Sequence, residues 1–314
     1  MIALVGYGYW GKNLARVFRD ELKFIVDKND YNLNKAKHDY GGSVNYENNL
    51  TNVLEYNKDI KAVLIATPPE THLDLAKLSI YYDRHIWIEK PVCQSYEETL
   101  ELEKYISERN SRLRVMVDHT FLFHPAVNKM SRIDIGDPLY YDSHRISLGK
   151  FQKDVDVVKD LAIHDLAIIR YLYPTATLVR KSITKHRHVN KMYNQAILCF
   201  EFELSGIVKK HFTATINCNW VSPVKKREII LTGTKKSVIY DDIDVNKIKV
   251  YDTGDIGEDY NINQLGDMIS PKLDTTEALL NAKRNFLDAI DNECKPMMSD
   301  LNFAKDLMKW IDIE

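Results

Sequence analysis

The chain has 314 residues, 43 Lys plus Arg against 45 Asp plus Glu, a formal net charge of −2 and 45% hydrophobic residues. That length suits two domains, and the balanced charge excludes a broad electrostatic footprint for nucleic acid or an anionic membrane. So large an apolar share beside 28% charged residues also excludes a disordered composition. Glycine is scarce at 12 residues, yet Gly6, Gly8 and Gly11 crowd together near the start. No apolar run approaches the roughly 18 residues of a membrane span. The opening Ile2-Ala3-Leu4-Val5 has no basic segment before it, which argues against secretion. Cys93, Cys199, Cys218 and Cys294 are scattered with no C-x-x-C pair, so reduced thiols in a cytoplasm are expected, with neither a disulfide framework nor a zinc site.

Up to about residue 120, short apolar runs alternate with segments the length of crossover helices. The runs are Ile2–Val5, Phe24–Val26, Ala62–Ala66, His85–Ile88 and Leu113–Val117. Alternation of this kind builds right-handed βαβ units, so residues 1–120 are expected to form a doubly wound α/β domain around a parallel sheet. After Pro125 a helix-length stretch, Asp160–Tyr173, precedes the β-rich runs Thr177–Thr184, Ala196–Leu204, Ile207–Asn217, Arg227–Thr232 and Ser237–Tyr240. Strands that follow one another without helices pair antiparallel. A loop marked by Gly254, Gly257 and Gly266 then leads to helical periodicity at Thr275–Ile290 and Asn302–Ile311. Residues 121–314 are therefore expected to form an α+β domain with a largely antiparallel open sheet.

Gly6-Tyr7-Gly8-Tyr9-Trp10-Gly11 follows a strand and opens a helix, the context that gives G-x-G-x-x-G its meaning. Gly6 permits the turn, Gly8 admits a pyrophosphate to the backbone, and Gly11 allows close helix packing, with the phosphates at the helix N-terminus. Asp27 ends the next strand about 20 residues after Gly6, where a carboxylate binds an adenosine ribose. This favours NAD, since a carboxylate repels a 2′-phosphate; the neighbouring Lys28 offsets part of that repulsion and keeps NADP open. Ala66-Thr67-Pro68-Pro69, with His72 after it, and Glu89-Lys90-Pro91 stand at the ends of two further strands, where ligands of a parallel sheet lie. Asp160 and His164 are four apart and share a helical face, a spacing that taken alone is more often a plain surface pair. Asp118, His119, His124 and His164 show no metal-ligand spacing, so no metal is expected. His119 and Thr120 follow the last strand of the first domain and would edge a crevice there. Lys185-His186-Arg187-His188 suits a solvated hairpin, whereas Lys225, Lys226 and Arg227 are candidates for a diphosphate. Arg145 and Lys150 precede the His164 helix and are candidates for a sugar pocket.

Gly6–Gly11, Ala66-Thr67-Pro68, Glu89-Lys90-Pro91 and Asp160-x-x-x-His164 occur in the order and spacing of the Gfo/Idh/MocA oxidoreductases, the glucose–fructose oxidoreductase and inositol dehydrogenase family, which the chain resembles over nearly its whole length. Asp118–Pro125, Asp154–Asp165 and Trp220–Arg227 are most similar to a branch acting on nucleotide-linked sugars. The resemblance implies an NAD(P)-dependent enzyme moving a hydride between nicotinamide and a sugar secondary alcohol or ketone. Lys90, Asp160 and His164 would be catalytic, with Gly6, Gly8, Tyr9, Trp10, Gly11, Asp27, Lys28, Thr67, Pro68, His72, Glu89 and Lys90 at the cofactor. His119, Arg145, Lys150, Lys225 and Arg227 would hold substrate. A polyol or inositol is the alternative substrate, and a non-catalytic dinucleotide sensor or corepressor is the alternative class. The presence of both Lys90 and His164 speaks against the sensor. The family pattern also implies a homodimer or homotetramer formed through the exposed face of the second sheet.

Overall fold

The computed structural model describes residues 1–109, 112–149, 151–189, 191–206, 209–253, 266–292 and 298–313. It divides into two units, residues 1–123 with 277–313, and residues 124–276.

In the first unit, β1 (Ile2–Val5), α1 (Gly11–Val17), β2 (Leu22–Val26), α2 (Asp30–Tyr40), β3 (Asn45–Glu47) and α3 (Leu50–Tyr56) form one half of the sheet with its helices. The other half is β4 (Ala62–Ile65), α4 (His72–Tyr81), β5 (His85–Ile88), α5 (Tyr96–Glu108) and β6 (Val115–Val117). The six strands lie in the order β3-β2-β1-β4-β5-β6, every pair parallel. This is the doubly wound arrangement read from the sequence. Residues of β1 and β4 are all buried, as continuous apolar runs covered on both faces must be. The short edge strand β3 escaped the periodicity reading because Asn45 and Glu47 carry polar side chains suited to a sheet edge.

The second unit holds α6 (Pro125–Met130), β7 (Pro138–Leu148), a single π-helical turn at Val158–Ala162 that runs into α7 (Ile163–Leu172), and β8 (Ala176–His186). It continues through β9 (Gln195–Leu204), β10 (Lys210–Asn219), β11 (Val221–Gly233), β12 (Lys236–Asp241), β13 (Ile248–Asp252) and β14 (Met268–Ile269). Its eight-stranded sheet runs β14-β13-β12-β11-β7-β10-β9-β8. All pairings are antiparallel except β7 with β10, which is parallel. Ala196, Leu198, Phe200 and Phe202 of β9 alternate inward and are buried, while Glu201 on the outer face pairs with Arg180 at 2.9 Å.

The helices α8 (Ala278–Asp291) and α9 (Leu301–Asp312), expected with the second half, belong to the first unit. The reason is apolar. Phe286 of α8 lies edge-on to Trp87 of β5 at 5.5 Å and to Phe18 at 6.4 Å, all three fully buried. Ser299, just before α9, accepts the Val117 amide at 2.8 Å and so extends the edge beside β6. Lys150, Gly254, Gly257 and Cys294 lie outside the described residues. Truncating Phe286 to Ala removes the centre of this aromatic cluster, and urea unfolding is expected to show a loss of about 3–4 kcal/mol.

Candidate active site

The glycine loop owes its shape to side chains that are missing. Gly6 has φ +92°, and a Cβ there would stand 2.5 Å from the Ala66 carbonyl oxygen; one on Gly11 would stand 1.9 Å from the Gly6 oxygen. At Gly8 a Cβ would meet nothing within 4 Å, so the backbone faces open space a pyrophosphate can enter. Trp10, at the start of α1, offers its helix no capping side chain. Asp27 follows β2, with Oδ2 accepting the Tyr7 amide at 2.8 Å and the Asn32 amide group at 3.0 Å, while Oδ1 accepts the Asn29 amide at 2.8 Å. The loop and the acid therefore form one connected cradle that fits a dinucleotide. Tyr9 is 85% exposed and Lys28 is exposed beside Asp27.

Thr67 and Pro68 stand after β4, and the Thr67 hydroxyl accepts from Thr71 at 2.7 Å. His72, expected at the cofactor, is completely buried, and its imidazole spans the two turns: Nδ1 lies 3.0 Å from the Pro91 oxygen and Nε2 2.8 Å from the Thr67 oxygen. Both ring nitrogens face backbone oxygens, one of which the neutral imidazole's single N–H can reach as donor, so the ring braces the turns rather than contacting the cofactor. Burial lowers its pKa.

Glu89 and Lys90 follow β5, and the Lys90–Pro91 peptide is cis. Next to them, after β6, stands Asp118, only 1% exposed. It accepts the Trp10 indole N–H at 3.1 Å and the Thr120 hydroxyl at 2.8 Å, and shares a side-chain hydrogen bond with Glu89. No local spacing in the sequence signals this group, since Trp10, Glu89 and Asp118 meet only once β1, β4, β5 and β6 are assembled into one sheet. His119, expected to edge a crevice, is 1% exposed with its ring against Phe303 at 5.8 Å, so it presents no ring atom to a substrate in this conformation. Asp118 and His119 lie in a tight turn after β6, in which the His119 amide donates to the Val117 oxygen at 2.8 Å.

In the second unit, Asp160 sits in the π-helical turn and His164 in the first turn of α7, both half-buried. Single π-helical turns are frequent at functional sites. Trp220, 2% exposed, donates its indole N–H to Asp160 Oδ2 at 3.2 Å and fixes that carboxylate. Asp156 accepts the Val158 and Lys159 amides at the start of the turn and pairs with Lys185 at 3.0 Å, so Lys185 braces the helix start. Beside His164, the fully buried Asp165 accepts Tyr141 Oη at 3.1 Å, Ser143 Oγ at 2.7 Å and Arg145 Nε at 2.5 Å. Arg145, a sugar-pocket candidate from the sequence, is thus buried, 5% exposed, in an ion pair that anchors α7 to β7. Arg227 pairs with Asp242 at 3.3 Å and Lys226 with Glu228 at 2.7 Å, while Lys225 is exposed. Among the described residues no group of three His, Cys, Asp or Glu side chains is arranged to hold a metal ion, and no helix is long and apolar enough to cross a membrane.

An open glycine loop and a strand-end aspartate at the carboxyl edge of a doubly wound sheet define a dinucleotide-binding unit of the dehydrogenase kind. Residues 1–119 match the family model described as "Oxidoreductase family, NAD-binding Rossmann fold". Over this unit the chain is similar to the Gfo/Idh/MocA oxidoreductases. It is 34% identical over 109 residues to UDP-N-acetylglucosamine 3-dehydrogenase of Acidithiobacillus ferrooxidans, covering 34% of each chain. It is 33% identical over 124 residues to scyllo-inositol 2-dehydrogenase (NAD(+)) of Bacillus subtilis, covering 36% of this chain and 35% of the relative. The chain thus spans about a third of the length of these two curated relatives. The solved structure of the Acidithiobacillus enzyme superposes with a TM-score of 0.84 at 22% identity, covering 98% of this chain and 94% of that one, which establishes the fold of both units.

Burial, followed by the positive charge of Lys90, pushes the His119 imidazole down to about 3. An unfolded histidine titrates near 6.5, so between these values the unfolded state holds the extra proton: stability is complete above pH 6.5 and falls as the pH drops toward 3. Denaturant unfolding at pH 7 and pH 5 is expected to show His119→Leu losing about 2 kcal/mol less than the unmodified protein over that interval.

Proposed function

We propose that the protein is an NAD-dependent oxidoreductase that interconverts a secondary alcohol and a ketone on a sugar, with a nucleotide-linked sugar as substrate. The observation carrying this reading is the cradle of Gly6, Gly8, Gly11 and Asp27. Its carboxylate accepts three donors from the loop and α2 and stays in place to accept ribose hydroxyls. A 2′-phosphate would meet that charge, which favours NAD over NADP. When bound, NAD supplies the acceptor and donor of hydride at the nicotinamide carbon.

The protein residues supply the proton and the positioning. His164, whose residue type exchanges protons near neutrality, takes the hydroxyl proton during oxidation and returns it during reduction. Asp160, its carboxylate held by Trp220, orients the imidazole or a neighbouring sugar hydroxyl. Lys90, at the end of β5, hydrogen-bonds the reacting oxygen and stabilises negative charge as it develops there. The same groups serve either direction. Lys225, exposed on β11, and Arg227 beside it supply cationic donors for a diphosphate.

Similarity to a UDP-N-acetylglucosamine dehydrogenase supports a nucleotide sugar, and similarity to an inositol dehydrogenase supports a polyol as the second reading. The family resemblance suggests a homodimer or homotetramer formed through the outer face of the second unit's sheet, which light scattering will report; a monomer counts against it.

Replacing His164 or Lys90 with Ala is expected to lower turnover by about 10²–10⁴-fold with little change in NADH affinity. Retained turnover in both variants rules out the assigned roles. Thermal-shift screening of nucleotide sugars and polyols with NAD present, followed by reduced-nicotinamide absorbance, tests the substrate. Stabilisation by inositols alone establishes the polyol reading instead, and tighter binding of NADPH than NADH reverses the cofactor preference.

A further inference from the structure

In the sheet order, β1 and β6 are separated by β4 and β5, a span of about 14 Å at roughly 4.8 Å per strand. The Trp10–Asp118 hydrogen bond crosses that span. It joins the glycine loop after β1 to the end of β6, over the carboxyl ends of the two strands that carry Thr67 and Lys90. Asp118 then meets Glu89, the residue before Lys90, and the Asp118 amide donates to the Ile88 oxygen at 2.8 Å. Glu89 Oε1 is buried with no hydrogen-bond partner among the described residues, and the positive charge of Lys90 acts on the pair.

We propose that Glu89 and Asp118 form a proton-sharing carboxyl pair that, with Trp10, is the positioning device locking the Lys90 turn in register with the dinucleotide-binding loop. The inference rests on the dinucleotide reading above and adds residues to it. Two buried carboxyls side by side repel each other when both are ionised, and the positive charge of Lys90 offsets only part of that repulsion. Burial raises the Asp118 pKa as well, but donors from Trp10 and Thr120 work against that rise and stabilise its carboxylate. Glu89 has no such donors, and burial together with the charge of Asp118 raises its pKa well above the ordinary carboxylate range. Glu89 is therefore the acid and hydrogen-bonds the Asp118 carboxylate, so the assembly carries one negative charge, and the indole of Trp10 is held across the sheet edge by a charge-assisted hydrogen bond. A loop fixed at both of its ends offers a dinucleotide a single arrangement of phosphate and nicotinamide subsites.

The test combines spectroscopy with binding. Infrared difference spectra of the unmodified protein against Glu89→Gln are expected to show loss of one protonated-carboxyl carbonyl band at neutral pH, a signal independent of any ligand. NADH binding, read by energy transfer from tryptophan, is expected to weaken about tenfold or more in Asp118→Asn. Trp10→Phe is expected to weaken it in the same direction, and the double variant no further than the stronger single one, because both act through one bond. Additive effects of Trp10→Phe and Asp118→Asn, unchanged NADH affinity in both, or no band lost in Glu89→Gln overturns the proposal. If Asp118→Asn does not fold, Trp10→Phe and the infrared comparison carry the decision. Failure of the unmodified protein to bind NADH or NADPH refutes the dinucleotide reading, and the carboxyl band still decides whether the pair shares a proton.

Discussion

The glycine loop lies so near the turn after β4 that one methyl group would not fit between them. A Cβ on Gly6 would intrude on the Ala66 carbonyl, and one on Gly11 on Gly6 itself. Everything at the carboxyl edge of the first sheet follows from this approach. Because the loop sits flat against the β4 turn, its Tyr7 amide reaches Asp27 on one side and its Trp10 indole reaches Asp118 on the other. Backbone left uncovered at Gly8 becomes available to an anion, and the turns bearing Thr67 and Lys90 are braced behind it by His72.

The second unit meets the opposite constraint, a charge in its interior. Asp165 is fully buried next to His164, and an unpaired carboxylate there would be costly. Three donors from β7 satisfy it, so the strand that should present apolar residues inward presents Tyr141, Ser143 and Arg145 instead. This network fixes α7 against the centre of the sheet by direction as well as by area. It also explains why a helix otherwise lined with isoleucine, leucine and alanine holds one register, since aliphatic contacts alone tolerate sliding that a three-donor acceptor does not.

Where a residue's job is local, the sequence displays it: the glycines, Asp27, the Glu89-Lys90-Pro91 turn and the Asp160–His164 spacing all lie within single strand-to-helix junctions or one helix. Strands with apolar interiors were equally legible. β7 was not, because its inward positions are polar for the sake of Asp165, and β3 was not, because an edge strand needs no apolar face. The partnerships of Trp10 with Asp118 and of Trp220 with Asp160 join positions 108 and 60 residues apart, and no periodicity encodes them. Chain neighbourhood marks Arg145 and His119 as ligand contacts; the fold uses one as a counterion and buries the other, since a polar type alone does not say which way a strand end turns. Helices α8 and α9 carried a clear amphipathic signal, but that signal names a face to be covered and not the unit that covers it.

The return of residues 277–313 to the first unit makes residues 124–276 an insertion within it. The contact between Val117 and Ser299 closes a loop of 182 positions, a separation that belongs to slow, non-local assembly. During synthesis at roughly 5–20 residues per second, the β6 edge waits on the order of ten seconds for the segment that covers it, while the inserted unit has its whole sequence in hand sooner. The order of manufacture is thereby the reverse of the order of the text: the part of the chain written first is the part finished last.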